Sequence, residues 1–141
     1  MLVVHPGGPL FAKKDSGVWS VPKGEYGPDE EPLAAATREF AEELGQAPPE
    51  AGFVDLGEIR QKGGKWVRCW AVEGDLDVTA AVSNLFEMEW PPRSGQLERF
   101  PEVDRAAWCS PDDARERLKP AQVAFIDRLE ARLQGTARAG E

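Results

Sequence analysis

Residues 24–45 read GEYGPDEEPLAAATREFAEELG, and the reading of this stretch decides the fold. Its front, Gly24 to Asp29, is too rich in Gly and Pro to continue a regular element, whereas the alanine-rich run behind it favours helix. The spacing predicts a helix from Glu30 or Glu31 to Leu44. Asp29 is the expected cap, Pro32 suits the first turn, and Gly45 stands where a helix-ending residue belongs. At about 100° per residue, Leu33, Ala36, Phe40 and Leu44 share one apolar stripe. Glu39, Glu42 and Glu43 fall within an arc of about 100° on another side, with Arg38 about 40° from Glu42 by the same geometry. Like charges at helical spacing destabilise by a few tenths of a kcal/mol per pair. These acids also sit late in the helix, where the macrodipole disfavours anions. A divalent cation removes both penalties, and Mg²⁺ prefers carboxylate and water oxygens while keeping positions open for phosphates. A solvated acidic face is the plainer alternative. The arginine beside the acids and a preceding loop able to fold over the helix flank weigh against it.

Outward from the helix, Leu2–His5 reads as a strand stopped by Pro6-Gly7-Gly8-Pro9. Val18–Val21 alternates like a strand and ends at Pro22. Phe53–Gln61 and Lys65–Glu73 form a predicted hairpin around Lys62-Gly63-Gly64. Leu85–Trp90 is a further strand, followed by a long loop, PPRSGQLERFPE, and a last strand over Val103–Cys109. Ser110 opens a short helix with Asp113 at the capping-box spacing. Pro120 starts another, with Val123, Ile126, Leu129 and Leu133 on one face and an end at Gly135. Several strands around one central helix, with helices at the end, indicate an α/β or α+β sandwich. One domain over residues 1–134 with a flexible tail over 135–141 is expected.

The chain has 141 residues, 41% hydrophobic and 30% charged, which suits one domain with a buried core. Its net charge of −8 argues against binding duplex nucleic acid or an anionic membrane, because phosphates are repelled. A protein this acidic that handles phosphates needs divalent cations to mediate. No apolar run approaches the roughly 20 residues of a membrane span, and MLVVHPGG is too quickly interrupted for a signal peptide. Cys69 and Cys109 lack metal-site or disulfide-framework spacing. The expectation is a cytoplasmic protein.

The segment from Gly24 to Gly45 resembles the Nudix box: Gly, five residues, Glu, seven residues, Arg-Glu, a bulky apolar residue, any residue, Glu-Glu, any residue, Gly and a final apolar residue. Every fixed position matches except the last, where Gln46 replaces an aliphatic residue. The preceding WSVPKG also resembles the family's strand into the box, with Lys23 where Gly is commoner. The resemblance implies an α/β/α sandwich with a mixed sheet. It also implies a strand ahead of Leu2–His5, so that either the sequence starts late or the sheet lacks an element and exposes an edge able to recruit a partner strand. A monomer or a homodimer is therefore expected.

By the same resemblance the activity is Mg²⁺-dependent hydrolysis of a phosphoanhydride in a nucleoside diphosphate linked to another group, with Mn²⁺ as a substitute ion. Glu42 and Glu43 correspond to the principal metal ligands, and the Lys23 carbonyl often completes such a site. Glu39 corresponds to a ligand or to the base that activates water. Arg38 would hold the glutamates, Glu30 would support the loop–helix junction through Arg38, and Gly24 and Gly45 are structural box positions. A further acid from a late loop is expected at Glu102, with Asp104 as the alternative. Lys14, Trp19 and Arg93 are candidate substrate contacts, each weighed against an ordinary structural role; the same holds for the other four tryptophans. The phrases FEMEWPPRSG and FPEVDRAAW resemble a MutT-like subgroup labelled NTP pyrophosphohydrolase. The family proline found after the box in ADP-ribose-cleaving members is absent. Nucleoside triphosphates or dinucleoside polyphosphates lead the substrate reading. The rival is a catalytically silent Nudix-like domain that senses a nucleotide or binds a protein.

Overall fold

A computed structural model describes residues 1–23 and 29–139, with side chains through Gly135. The chain runs β1 (Leu2–Pro6), α1 (Pro32–Leu44), β2 (Val54–Arg60), β3 (Trp66–Ala71), β4 (Leu85–Glu89), β5 (Leu97–Pro101), β6 (Val103–Trp108), α2 (Pro111–Arg117) and α3 (Val123–Ala139). Among the described residues these strands pair as three two-stranded antiparallel sheets, β1–β6, β2–β3 and β4–β5. The mixed character expected of the sheet is confined to bridges: Trp19 pairs in parallel with Leu118, and Ser20 pairs antiparallel with Val4. Val18–Val21 is therefore reduced from a strand to two bridges, between the left-handed Gly17 (φ 75°) and Pro22.

The sandwich is visible in the side chains of β1 and β6. Val4 and Val103 pack with Leu44 of α1, while Val3 packs with Trp19, Leu118 and Ile126 on the other face. A third cluster joins Leu56, Ile59 and Val67 of the β2–β3 hairpin to Phe125 of α3. Alternation of neighbouring strand residues between two apolar layers is what a sheet buried on both faces requires. Both cysteines are free thiols. No helix of the described residues is long and apolar enough to cross a membrane.

Helix α1 begins and ends for local reasons. The cap is Glu31, not Asp29: its carboxylate accepts from the Leu33 and Ala34 amides at 3.2 and 2.9 Å. Pro32 occupies the first helical position, where its missing N–H costs nothing. Gly45 takes φ 67°, and its amide donates to the Ala41 carbonyl at 2.8 Å. Of the predicted apolar stripe only Leu44 is fully buried. Leu33, Ala36 and Phe40 line a groove of about 650 Å³ that runs on to Trp70 and Trp108.

Two further expectations are corrected. The segment after Trp90 is not a long loop: Leu97–Pro101 returns as β5 against β4, with Phe86 opposite Phe100. This hairpin leaves Leu85 and Leu97 exposed, so it lacks the buried alternate face by which strands are read from sequence. Helix α3 does not stop at Gly135 but runs on to Ala139, and Leu133 is exposed rather than packed. A glycine costs only about 1 kcal/mol in an exposed helix and does not force an end.

Gly45 meets two constraints at once. Its backbone is left-handed, and a Cβ there would lie 2.7 Å from the Val82 carbonyl oxygen. Gly17 shares the left-handed conformation but faces open space. Gly45→Ala is expected to lower stability by about 2–4 kcal/mol and Gly17→Ala by about 1 kcal/mol, read as denaturation midpoints. Equal losses in the two variants would show that Val82 does not constrain the helix end.

Candidate carboxylate site at the end of the central helix

The site grows from the way α1 is tied down at its C-terminus. Helix ends leave carbonyls without partners. Here the Asn84 amide donates to the Glu42 carbonyl at 2.8 Å and the Val82 amide to the Leu44 carbonyl at 3.1 Å. The Asn84 carbonyl then accepts from the Glu102 amide at 2.9 Å. One peptide segment thus joins the last turn of α1 to the start of β6. Gly7 closes the arrangement from the other side, because its amide donates to the Glu102 carbonyl at 2.9 Å and a Cβ on it would collide with Pro101.

On α1 itself, Arg38 gathers the acids. Its Nε and Nη2 donate to the two oxygens of Glu30 at 3.2 and 3.0 Å, a bidentate grip on the residue just before the cap. Its Nη1 donates to Glu39 at 2.8 Å and reaches Glu42 at 3.4 Å. Surrounded by carboxylates, the guanidinium is held more firmly protonated than usual, first through its bond to Glu30. Glu43 points elsewhere and accepts from the Lys23 amide at 3.2 Å.

Burial sets the electrostatics. It pushes the Glu43 carboxyl up to about 8; Glu39 and Glu102 push the same way, while the Lys23 amide and ammonium oppose them. Glu39 is also raised, first by burial, then by the charges of Glu42 and Glu102 and against the pull of Arg38. Glu102 therefore acts on both helix acids from the far end of the chain. Asp104 does not: its Oδ1 lies 2.7 Å from His5 Nδ1, and the Arg105 guanidinium is 3.8 Å away. His5 is wholly buried and its Nε2 donates to the Lys14 carbonyl at 2.6 Å, a structural post.

Among the described residues no three acidic, His or Cys side chains close around a single point. Arg38 draws Glu39 and Glu42 to itself, and Glu43 is turned to the Lys23 amide. The chemistry of the donors nevertheless fits a hard divalent cation: they are carboxylate oxygens, and a half-buried acid whose carboxyl is raised chiefly by desolvation is relieved by positive charge.

The other expected residues are scattered. Trp19 is 3% exposed, its Nε1 donating to Asp15 at 2.6 Å and its ring carrying Arg105 and Arg117 at 5.3 and 5.2 Å. It is core and has no face free for a base. Trp66 and Trp108 are the exposed tryptophans, and the Trp108 Nε1 donates to the Leu76 carbonyl. Lys14 is exposed, with its ammonium 5.5 Å from the Phe11 ring. Arg93 is exposed in the turn between β4 and β5, with φ 63°. Gly24 lies outside the described residues.

Sequence reading missed Gln122, which is wholly buried. Its Oε1 accepts from the Val21 amide at 2.9 Å, and its Nε2 donates to Ser20 Oγ at 3.1 Å and Gln61 Oε1 at 2.9 Å. It fixes the approach to Lys23 to the start of α3 and the end of β2. No periodicity or motif marks such a residue, whose partners are distant in sequence.

A search of curated proteins finds no match. Among solved structures the chain is similar to the solution structure of the E. coli ORF135 protein, at 25% identity with a TM-score of 0.54, covering 92% of this chain and 79% of that one. A family model described as NUDIX domain matches residues 1–129. With the box residues drawn together by Arg38 and by the Asn84 peptide, the chain belongs to the NUDIX domain family, whose members are in general hydrolases of acid anhydrides in nucleoside-diphosphate-linked compounds.

Proposed function

We propose that this chain is a Mg²⁺-dependent hydrolase of nucleoside triphosphates or dinucleoside polyphosphates. One observation carries the reading: Glu39 and Glu43 on α1 and Glu102 before β6 lie within range of one another's charge, with Glu43 half-buried against the Lys23 amide. Such a grouping of anions is unfavourable unless a cation is part of the working state. Glu39, Glu42, Glu43, Glu102 and the Lys23 carbonyl are the groups that would hold Mg²⁺, with Mn²⁺ as the substitute. When bound, the ion neutralises pyrophosphate oxygens and acidifies water.

The remaining roles belong to the chain. Arg38 keeps Glu30, Glu39 and Glu42 in one orientation and offsets their charge. Glu39, whose carboxyl is raised and thus more basic than an exposed glutamate, takes the proton of the attacking water. The water oxygen bonds to phosphorus as the bridging P–O bond breaks, and the departing phosphate keeps the electron pair. The small-molecule nucleotide is the one partner this chemistry needs.

The direct test is a nucleotide panel with Mg²⁺ or Mn²⁺, resolving pyrophosphate from phosphate release. Turnover is expected with the ion and none with chelator. Glu43→Gln is expected to lower kcat/KM by about a hundredfold or more, since even residues that merely support a metal ligand cost about 10–100-fold. Its circular dichroism should match the wild type, and wild-type turnover in that variant would refute the role of Glu43. Arg38→Lys removes the bidentate hold on Glu30 and should reduce kcat/KM by about tenfold with little change in Tm, the side chain being largely exposed.

Folding stability should report the buried acid as well. In the folded state Glu43 titrates near 8, against its ordinary value of 4.5. The native state thus binds more protons across that window, so in chelator this contribution to stability is present at low pH and is lost as pH rises through about 8. Glu43→Gln should flatten that slope in urea titrations. An unchanged slope would mean that Glu43 is not the group responsible.

A further inference from the structure

The β2–β3 and β1–β6 sheets each present an unused edge to the same groove. Peptide groups in an antiparallel strand point alternately to either side. In β1 the Met1 ammonium and carbonyl bond Cys109 at 2.6 and 2.8 Å, so odd positions face β6. The Val4 amide and carbonyl turn the other way and bond Ser20 at 2.8 and 2.9 Å. Leu2 is in phase with Val4, and its N–H and C=O therefore point away from β6. In the β2–β3 hairpin the Lys65 carbonyl accepts from the Gln61 amide at 2.8 Å, which turns the odd positions of β3 to β2 and Trp70 outward. Among the described residues no bond reaches the Leu2 peptide groups or the Trp70 amide on these outer sides, and the Trp70 carbonyl meets only the Cys69 thiol, at 3.7 Å. Leu2 and Trp70 both line the groove of about 650 Å³ beside α1. Helices wall it: Leu33, Ala36 and Phe40 come from α1, and Phe125 and Leu129 from α3, the two helices lying on opposite faces of β1.

Backbone donors and acceptors set between apolar walls decide what can fill the groove. A hydrocarbon would leave them without partners, whereas an extended polypeptide satisfies them on both sides and turns alternate side chains to α1 and α3. Charge narrows the chemistry further. Beyond the end of β3 the groove is lined by Glu73 and Asp75, both exposed, and among the described residues neither is in a salt bridge. We propose that this groove docks a strand from a partner protein, an apolar run of about five residues with lysine or arginine at the end that meets Glu73 and Asp75. Paired to Leu2 and Trp70, the strand makes β2–β3 and β1–β6 one sheet with a helix on each face. A second copy of this chain is a poorer occupant, because its net charge of −8 brings like charge to that end. The groove lies on a different side of α1 from Glu39, Glu42 and Glu43, so the proposal stands apart from the hydrolase reading.

The experiment titrates the protein into a fluorescein-labelled peptide, Thr-Val-Ile-Val-Leu-Lys-Lys, and follows anisotropy. Two control peptides accompany it, one N-methylated at every apolar residue and one with both lysines replaced by glutamate. Binding is expected for the first peptide. N-methylation keeps the side chains but removes the amide donors, and about a tenfold or greater weakening is expected. The glutamate peptide should bind several-fold more weakly, with the difference shrinking as salt is added. Ala36→Arg places a long side chain in the groove and should abolish binding while circular dichroism stays that of the wild type. No binding of the first peptide at protein concentrations up to about 1 mM overturns the proposal. Equal binding of the N-methylated peptide overturns it too, since the groove would then read side chains alone. A wild type that sediments as a dimer, with Ala36→Arg a monomer, assigns the groove to a second copy and overturns the partner strand.

Discussion

The peptide of Asn84 is the joint on which the molecule's chemistry depends. Its amide satisfies the Glu42 carbonyl and its carbonyl satisfies the Glu102 amide, so one residue fixes the distance between the acidic turn of α1 and the acid before β6. The joint needs close approach, and Gly45 and Gly7 supply it from two sides, each where a side chain would strike a backbone oxygen. Helix termination and site assembly are thus the same event. The hydrogen bonds that complete the helix end are those that import Glu102.

Charge clusters occur elsewhere on the surface, and the contrast is instructive. Arg115 pairs with Asp112, Asp127 and Glu130 at 3.4, 3.0 and 2.9 Å, tying α2 to α3. That network has as many carboxylates as the Arg38 group. Its acids remain in contact with solvent. The Arg38 group differs in one respect. Glu43 is turned from Arg38 to the Lys23 amide in a half-buried position, where desolvation first, and then Glu39 and Glu102, oppose its charge.

What was legible in the sequence was local. Pro32, Gly45 and the turn at Lys62-Gly63-Gly64 act within a few residues, and the Ser110 hydroxyl does accept from the Asp113 amide at 3.2 Å. The choice between Asp29 and Glu31 as cap was not legible. Three successive acids carry the same capping chemistry, and the outcome turned on Arg38 claiming Glu30 while Glu31 bent back to the amides. Strand β5 was hidden because LERFP has neither face well buried. Glu102 was readable only by resemblance, and nothing local in the sequence showed that its rival Asp104 pairs with His5, 99 residues away. Gln122 carried no local signal at all.

Helix α1 is held chiefly by its ends. Ala35 and Leu44 are buried, but Leu33, Ala36 and Phe40 border an apolar groove and pack only in part. A helix that was placed by its apolar stripe would gain its position from that face. This one gains it from Glu31 and the Arg38–Glu30 pair at the start and from the Val82 and Asn84 amides at the finish. The division suits a helix whose opposite face collects negative charge. Directional hydrogen bonds at the two ends fix rotation about the helix axis, which partial burial of a stripe leaves loosely set, and that rotation decides whether Glu39 and Glu43 face Glu102.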